Sequence, residues 1–148
     1  MLTIRHYIDD DLDEVVALWY RIWTNTFPTL KHPQPFDEWK KRFQNDIAKL
    51  GSVWVAETQD RIVGFVVLMV AEKKLAQIFV DVDAQRMGVG TALLNKAKTI
   101  CSDGLSLTTL QHNLHARKFY EKHGFIAGCL GVNLINKQPN IEYTWNPD

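Results

Sequence analysis

The chain has no charge of one sign to spare: 17 Lys and Arg residues balance 17 Asp and Glu residues over 148 positions. A nucleic-acid binder needs a basic excess or stripe, so that class is disfavoured, and an anionic ligand must be met by local backbone and a few side chains. Cysteine is scarce as well. Cys101 and Cys129 lie too far apart for a CxxC metal or redox pair, which points to a reduced, cytoplasmic setting. Long hydrophobic runs are missing: the longest, Ile62 to Ala71, is too short to cross a bilayer. Met1-Leu2-Thr3-Ile4 also lacks the basic start and apolar core of a signal peptide, so no membrane association is expected.

What is present is core-forming material. The chain is 46% hydrophobic, with five Trp and seven Phe, which argues against disorder. At this length a folded chain buries about two-thirds of its unfolded surface. No repeat, low-complexity stretch or linker interrupts it, so residues 1–148 are expected to form one domain.

A strand over Leu2–Tyr7 is followed by Asp9-Asp10-Asp11, which offers N-caps to a helix carrying Leu12, Val15, Val16, Trp19 and Trp23 at helical spacing. Pro28, Pro33 and Pro35 break the pattern. Phe36, Trp39, Phe43, Ile47 and Leu50 mark a second helix stopped by Gly51. Val53–Glu57, Ile62–Val70 and Leu75–Val80 read as strands on short polar turns, hence an antiparallel meander. Leu105–Leu110 follows a helix and is expected to run parallel to Leu75–Val80. Asn113 can cap a last helix bearing Ala116, Phe119 and Tyr120 and ending at Gly124, before two closing strands, Phe125–Leu134 and Ile141–Trp145. The expected order is β-α-α-β-β-β-α-β-α-β-β, a mixed α/β (α+β) fold.

The informative stretch is Ile78-Phe79-Val80-Asp81-Val82-Asp83-Ala84-Gln85-Arg86-Met87-Gly88-Val89-Gly90-Thr91. A buried strand passes through a polar turn into Gly88-Val89-Gly90, and a helix starts there with Val89, Leu93, Ala97 and Ile100 on one face. A helix start carries unpaired N–H groups and the positive end of the macrodipole, and glycines let an anion approach them. Alone, the pair reads as a phosphate cradle or as an ordinary glycine turn. A Rossmann fingerprint fails because Leu93 stands where the third glycine belongs, and a P-loop fails because Thr91-Ala92 follows Gly90.

Gln85-x-x-Gly88-x-Gly90 resembles the coenzyme A diphosphate loop of the GNAT-type N-acetyltransferases. Asn113-Leu114-His115-Ala116-Arg117-Lys118-Phe119-Tyr120-Glu121-Lys122-His123-Gly124-Phe125 is similar to that family's second signature, and the two span Ile78 to Phe125 in the right order. Val82 stands where a proline is common, and Arg86 replaces a frequent glycine. The resemblance implies a mostly antiparallel sheet splayed between two parallel strands, with acetyl-CoA as co-substrate and a small amine or peptide as acceptor. It implies a pantetheine arm against the backbone of Ile78, Phe79 and Val80. The diphosphate falls on the amides of Arg86, Met87, Gly88, Val89, Gly90 and Thr91, with Gln85 at the mouth and Asn113 and Tyr120 beside the cofactor.

An amine attacking a thioester needs a polarised carbonyl, a lost ammonium proton and a proton for the departing sulfur. The backbone N–H of Phe79 or Val80 can serve the first. Tyr120 matches the family's thiolate-protonating Tyr, a phenol protonated at neutral pH. The base stays open among His112, Glu72 and Asp81. His112 and His115 share a face, but no third ligand sits at matching spacing, so no metal is expected. The Asn25–Pro35 and Cys129–Ile141 segments, with Phe27, Lys31, His32, Asn133 and Asn136, are expected by the same likeness to flank the acceptor pocket. The alternative function is a non-catalytic acyl-CoA-binding module. A closing strand pair at a sheet edge leaves monomer and homodimer both open.

Overall fold

The structure, a computed structural model, describes residues 2–26, 35–49, 51–84, 87–132 and 137–147. In chain order its elements are β1 (Thr3–His6), α1 (Leu12–Thr26), α2 (Phe36–Arg42), β2 (Ser52–Thr58), β3 (Arg61–Met69), β4 (Lys74–Val80), α3 (Val89–Ile100), β5 (Leu105–Leu110), α4 (Leu114–Lys122), β6 (Ile126–Val132) and β7 (Pro139–Trp145). That is the expected order. Strands β2, β3 and β4 each begin one residue before their apolar run, because the backbone ladder does not require an apolar side chain. The second helix differs more. It widens after Arg42 into a π-helical turn, Phe43–Ala48, which buries Phe43 and Ile47. The first closing strand begins at Ile126 rather than Phe125, which is a buried plug ahead of it, and its expected end at Leu134 lies outside the described residues.

The strands form one seven-stranded sheet in the order β1-β2-β3-β4-β5-β7-β6. Helices α1 and α2 cover one face through Val15, Val16, Leu18, Trp19, Trp39 and Phe43, which meet Val53, Val55, Phe65 and Val67 of the sheet. Helices α3 and α4 cover the other through Val89, Leu93, Leu94, Ala97 and Tyr120, packed on Ala56, Val66, Leu68, Leu107 and Tyr143. β3 is buried on both faces from Ile62 to Leu68, which is why it reads as a continuous apolar run rather than an alternating one. Each such side chain taken out of water contributes roughly 1.5–3 kcal/mol. No helix among the described residues is long and apolar enough to cross a membrane.

The sheet does not stay closed. β4 and β5 run parallel but pair only at Lys74 and Ser106, where the Ser106 N–H also donates to the Lys73 carbonyl at 2.9 Å. Beyond that point β5 keeps a full antiparallel ladder with β7, from Leu105–Trp145 to Leu110–Asn140, while β4 stays with β3. A bulge in the β3–β4 ladder at Val67/Leu68 bends β4 just where the strands part, as bulges do. The two parallel strands therefore open toward their C-terminal ends.

Helix α3 can lie across β3 and β4 because of one glycine. A Cβ on Gly64 would sit 2.8 Å from the Phe79 carbonyl oxygen and 3.1 Å from both Leu93 Cδ1 and Val89 Cγ1. The backbone oxygen cannot yield without breaking the ladder. Gly64→Ala is expected to lower unfolding stability by about 1–3 kcal/mol in urea denaturation. A loss within experimental error would contradict this close packing.

Candidate active site

The open end of β4, the start of α3 and one face of α4 line a cavity of about 520 Å³. Its floor is apolar, from Ile78, Val80, Ala116 and Phe119; its rim carries Gly88, Gly90, Thr91, His115, Lys118, Lys122 and His123; and Tyr120 completes the lining.

On the β4 side the site is built from backbone. The Asp81 N–H donates to the Val63 carbonyl at 2.8 Å, and the Phe79 carbonyl lies against Gly64, so residues 79 and 81 spend their peptide groups on β3. The twofold alternation of a strand then turns the N–H and C=O of Ile78 and Val80 toward the split, where β5 has left. This corrects the sequence-based placing of Phe79 as an oxyanion donor: its amide belongs to the ladder, and its ring packs on Phe65 across the other face at 5.4 Å. Val80 keeps that role open.

At the α3 end the chain turns on Gly88, which caps the helix with φ of 77°. Only glycine takes that conformation without strain, and a Cβ there would meet nothing within 4 Å, so the loop backbone is open to a ligand. The Ala92 N–H is the first to be claimed, by the Gly88 carbonyl at 3.0 Å, which leaves the amides of Val89, Gly90 and Thr91 as the unpaired first turn. Gly90 is small for a different reason: a Cβ would approach Phe119 Cζ to 3.2 Å. The Val89 side chain is fully buried in the core, so only its backbone is available; Met87 is exposed and does not line the cavity. Gln85 and Arg86 lie outside the described residues.

Helix α4 is clamped from behind. Arg117 Nε donates to the Tyr143 hydroxyl at 3.0 Å, that hydroxyl donates to Glu121 Oε2 at 2.5 Å, and Arg117 Nη1 reaches the Gln111 carbonyl at 2.9 Å. With Arg117 and Glu121 held on the β7 side, Tyr120 turns inward and is 7% exposed. Its ring rests on Phe119, Phe125 and Tyr143. Among the described residues none hydrogen-bonds its hydroxyl. Burial pushes its pKa up to about 12. At the far end His123 ties α4 to α3: Nδ1 sits 2.8 Å from the Phe119 carbonyl and Nε2 is 3.2 Å from Thr91 Oγ1.

Several sequence candidates stand elsewhere. Asn113 is the N-cap of α4, its Oδ1 accepting the Ala116 N–H at 3.3 Å, and is not in the cavity lining. His112 is exposed in the turn after β5 and is not in the lining either. Glu72 sits in the turn before β4, at the closed end of the split, roughly 20 Å of strand from Ile78. Asp81 is buried behind the sheet, held by Arg21 at 2.7 Å and Arg61 at 3.4 Å. No group of three His, Cys, Asp or Glu among the described residues could hold a metal. Phe27, Lys31, His32, Asn133 and Asn136 lie outside the described residues, as do most of the segments they belong to.

Other residues come in that sequence reading passed over. Lys118, Lys122 and His123 line the cavity with His115, and their spacing along one helix face was the available signal. Gln77 Oε1 is buried without a hydrogen-bond partner, on the α1 face of β4 that it shares with Phe79.

An apolar cleft beside open strand amides, ending on a helix N-terminus with Lys and His around it, has the chemistry to take a long ligand with an anionic end. Comparisons with known proteins give the family. The pattern of the Acetyltransferase (GNAT) domain family matches residues 49–127. YafP of Escherichia coli, described as an uncharacterized N-acetyltransferase, is 30% identical over 128 residues, covering 84% of this chain and 81% of that protein. The peptidyl-lysine N-acetyltransferase YjaB of Escherichia coli is 27% identical over 141 residues, covering 93% and 91%. PaiA N-acetyltransferase from Thermoplasma acidophilum, solved in complex with coenzyme A, shares the fold with a TM-score of 0.71 at 18% identity, over 96% of this chain and 98% of that one. The chain belongs to the GNAT family of N-acetyltransferases.

The buried Tyr120 links stability to pH. Its folded pKa lies above the ordinary value of 10.0, so its contribution is fully present below pH 10 and is lost as pH rises through about 12. Urea midpoints measured from pH 9 to 12 should fall, and fall less steeply in Tyr120→Phe. Tyr7, also raised to about 12, keeps some slope in that variant. Equal slopes would show that Tyr120 titrates as if exposed.

Proposed function

We propose that the protein transfers an acetyl group from acetyl-CoA to a primary amine of a small molecule or peptide, by direct attack on the thioester. The observation that carries this reading is Tyr120: a buried phenol whose hydroxyl has no hydrogen-bond partner among the described residues, lining the same cavity as the unpaired first turn of α3. A core Tyr normally spends its hydroxyl on a protein partner, and one that is left open to a cleft can give its proton to a group bound there.

In this reading the diphosphate rests on the amides of Val89, Gly90 and Thr91, where the helix dipole favours negative charge. The pantetheine arm takes the place of a strand beside β4, pairing with Ile78 and Val80. The amine nitrogen attacks the carbonyl carbon, the C–N bond forms, and negative charge moves to the carbonyl oxygen, which the Val80 N–H stabilises. The C–S bond then breaks with its electron pair on sulfur, and Tyr120 supplies the proton that makes free thiol. The ammonium proton leaves through water before attack, since Glu72 and Asp81 are turned elsewhere and His112 is outside the cavity. The second proton, shed by the nitrogen as it becomes an amide, returns through water to restore the Tyr120 hydroxyl. A lysine side chain is the acceptor class favoured by the likeness to YjaB, whose name specifies peptidyl-lysine. The unpaired Cys101 and Cys129 support a cytoplasmic location.

Free thiol release from acetyl-CoA, followed colorimetrically over a panel of amines and lysine peptides, tests the reading. Acceptor-dependent release is expected, with kcat reduced by about 10²-fold or more in Tyr120→Phe. Coenzyme A binding without turnover on any acceptor would favour the non-catalytic acyl-CoA-binding module instead. Absence of binding would remove both.

A further inference from the structure

One carboxylate near the site takes no part in the chemistry. Asp81 directly follows Val80 at the end of β4 and is absent from the cavity lining. Its side chain is only 4% exposed, and a carboxylate taken out of water must be met by partners. Both oxygens are met. Oδ2 accepts Arg21 Nη2 at 2.7 Å and Arg61 Nη2 at 3.4 Å, and Oδ1 accepts the Asp83 N–H at 3.3 Å. The last of these is an aspartate reaching the backbone two residues on, which fixes a turn. The arginines come from distant elements, Arg21 from α1 and Arg61 from the start of β3. Glu14 and Asp83 stand with them, so the hollow they line holds three carboxylates against two guanidiniums and does not favour an anion. Glu14 itself accepts the Ile62 N–H at 2.8 Å.

Asp81 is also where the sheet hands the chain to the glycine loop. It lies one residue beyond the ladder pair of Val80 with Gly64, and its N–H donates to the Val63 carbonyl at 2.8 Å. Its own carbonyl accepts the Ala84 N–H at 2.9 Å, which closes the short helical turn Val82–Ala84. The Ala84 carbonyl then accepts the Met87 N–H at 3.1 Å, and Gly88 follows as the N-cap of α3. Val82 and Asp83 are exposed and Ala84 is buried, so packing holds this turn at one point only. The ladder secures Val80 whatever stands at position 81, but the turn beyond it depends on the carboxylate.

We propose that Asp81 is a positioning residue. Clamped by Arg21 and Arg61, its carboxylate sets the turn at Val82–Ala84, and through it the approach to Gly88 and the aim of the Val89, Gly90 and Thr91 amides at the anionic end of the acyl donor. Asp81 touches neither the donor nor the reacting atoms and acts from behind the sheet. The assignment rests on the acyl-CoA reading above and adds to it what holds the loop in place. Its sign separates it from a charge effect. Taking a negative charge away from the neighbourhood of the loop strengthens anion binding, whereas loosening a preorganised turn weakens it.

Isothermal titration of coenzyme A into the wild type, Asp81→Asn, Arg21→Gln and the double variant tests it, with circular dichroism to show that each is folded. Asp81→Asn should bind coenzyme A about tenfold more weakly, the scale of a lost turn cap. Arg21→Gln should weaken binding several-fold, and the double variant no further than Asp81→Asn, because the pair acts as a unit. In thiol-release assays the acetyl-CoA KM should rise with the Kd, while kcat at saturation changes by less than about twofold because Val80 stays in its ladder. An Asp81→Asn variant that binds coenzyme A as well as the wild type, or better, would overturn the proposal even if its melting temperature falls. A loss confined to kcat would do the same, and losses that add in the double variant would rule out the clamp. Should Asp81→Asn not fold, Arg21→Gln decides alone: that side chain is 52% exposed, and wild-type affinity there sinks the proposal. If the wild type binds no coenzyme A, the acyl-CoA reading fails first and this proposal with it.

Discussion

Everything in this molecule turns on one ladder that stops early. β4 and β5 share a single parallel register pair, Lys74 with Ser106, and then separate. Backbone amides are obligatory hydrogen-bonding groups, and leaving one buried and unmet costs about 1–3 kcal/mol. The open edge of β4 at Ile78 and Val80 is therefore an unfinished sheet inside the fold, satisfied by water or by a guest that behaves like a strand. A pantetheine chain has the alternating amides to be such a guest. The sheet tolerates the break because each strand keeps its other neighbour, β3 for β4 and β7 for β5.

The rest of the site follows from holding the two halves apart at a set angle. α3 leans on β3 and β4, a packing that Gly64 permits, and this brings the first turn of the helix to the mouth of the split. α4 leans on β7 and is pinned by Arg117, Tyr143 and Glu121. The two helices meet through Thr91 and His123, and through Phe119 against Gly90. Tyr120, attached to one half of the sheet, thus faces a strand edge and a helix N-terminus attached to the other. Lys98 braces the same seam from α3, donating to the His123 carbonyl and lying 5.0 Å over the Trp145 ring; burial lowers its pKa.

Much of the fold was legible along the chain because its elements are amphipathic and their ends are marked. Val15, Val16 and Trp19 show helical spacing and are buried; Leu105 and Leu107 alternate and are buried. Gly88 and Gly124 stop and start helices at positive φ, which a sequence announces through the residue type. Less visible was the π-helical turn at Phe43–Ala48, because its hydrophobic spacing differs from an α-helix by too little to notice over six residues. In the site, Gly88, Gly90, Thr91, Ile78, Val80 and Tyr120 could be named from motif and order. Asn113 could be named too, and its side chain caps α4 as its place before the helix led one to expect.

By itself the sequence determined the element order, the two glycines of the loop and the identity of the buried phenol, since these depend on residue type and local spacing. Tertiary structure alone decided which peptide groups face the split. One step in register exchanges Phe79 for Val80, and register is set by pairing with β3 rather than by either residue's chemistry. It also decided the fate of the charges. Glu72, Asp81 and Glu121 are equally acidic in the sequence, but one lies at the closed end of the sheet, one behind it and one against Tyr143, so the cavity wall is left with Lys and His. Charge at a site is a sum over neighbours in space, and those neighbours come from distant parts of the chain.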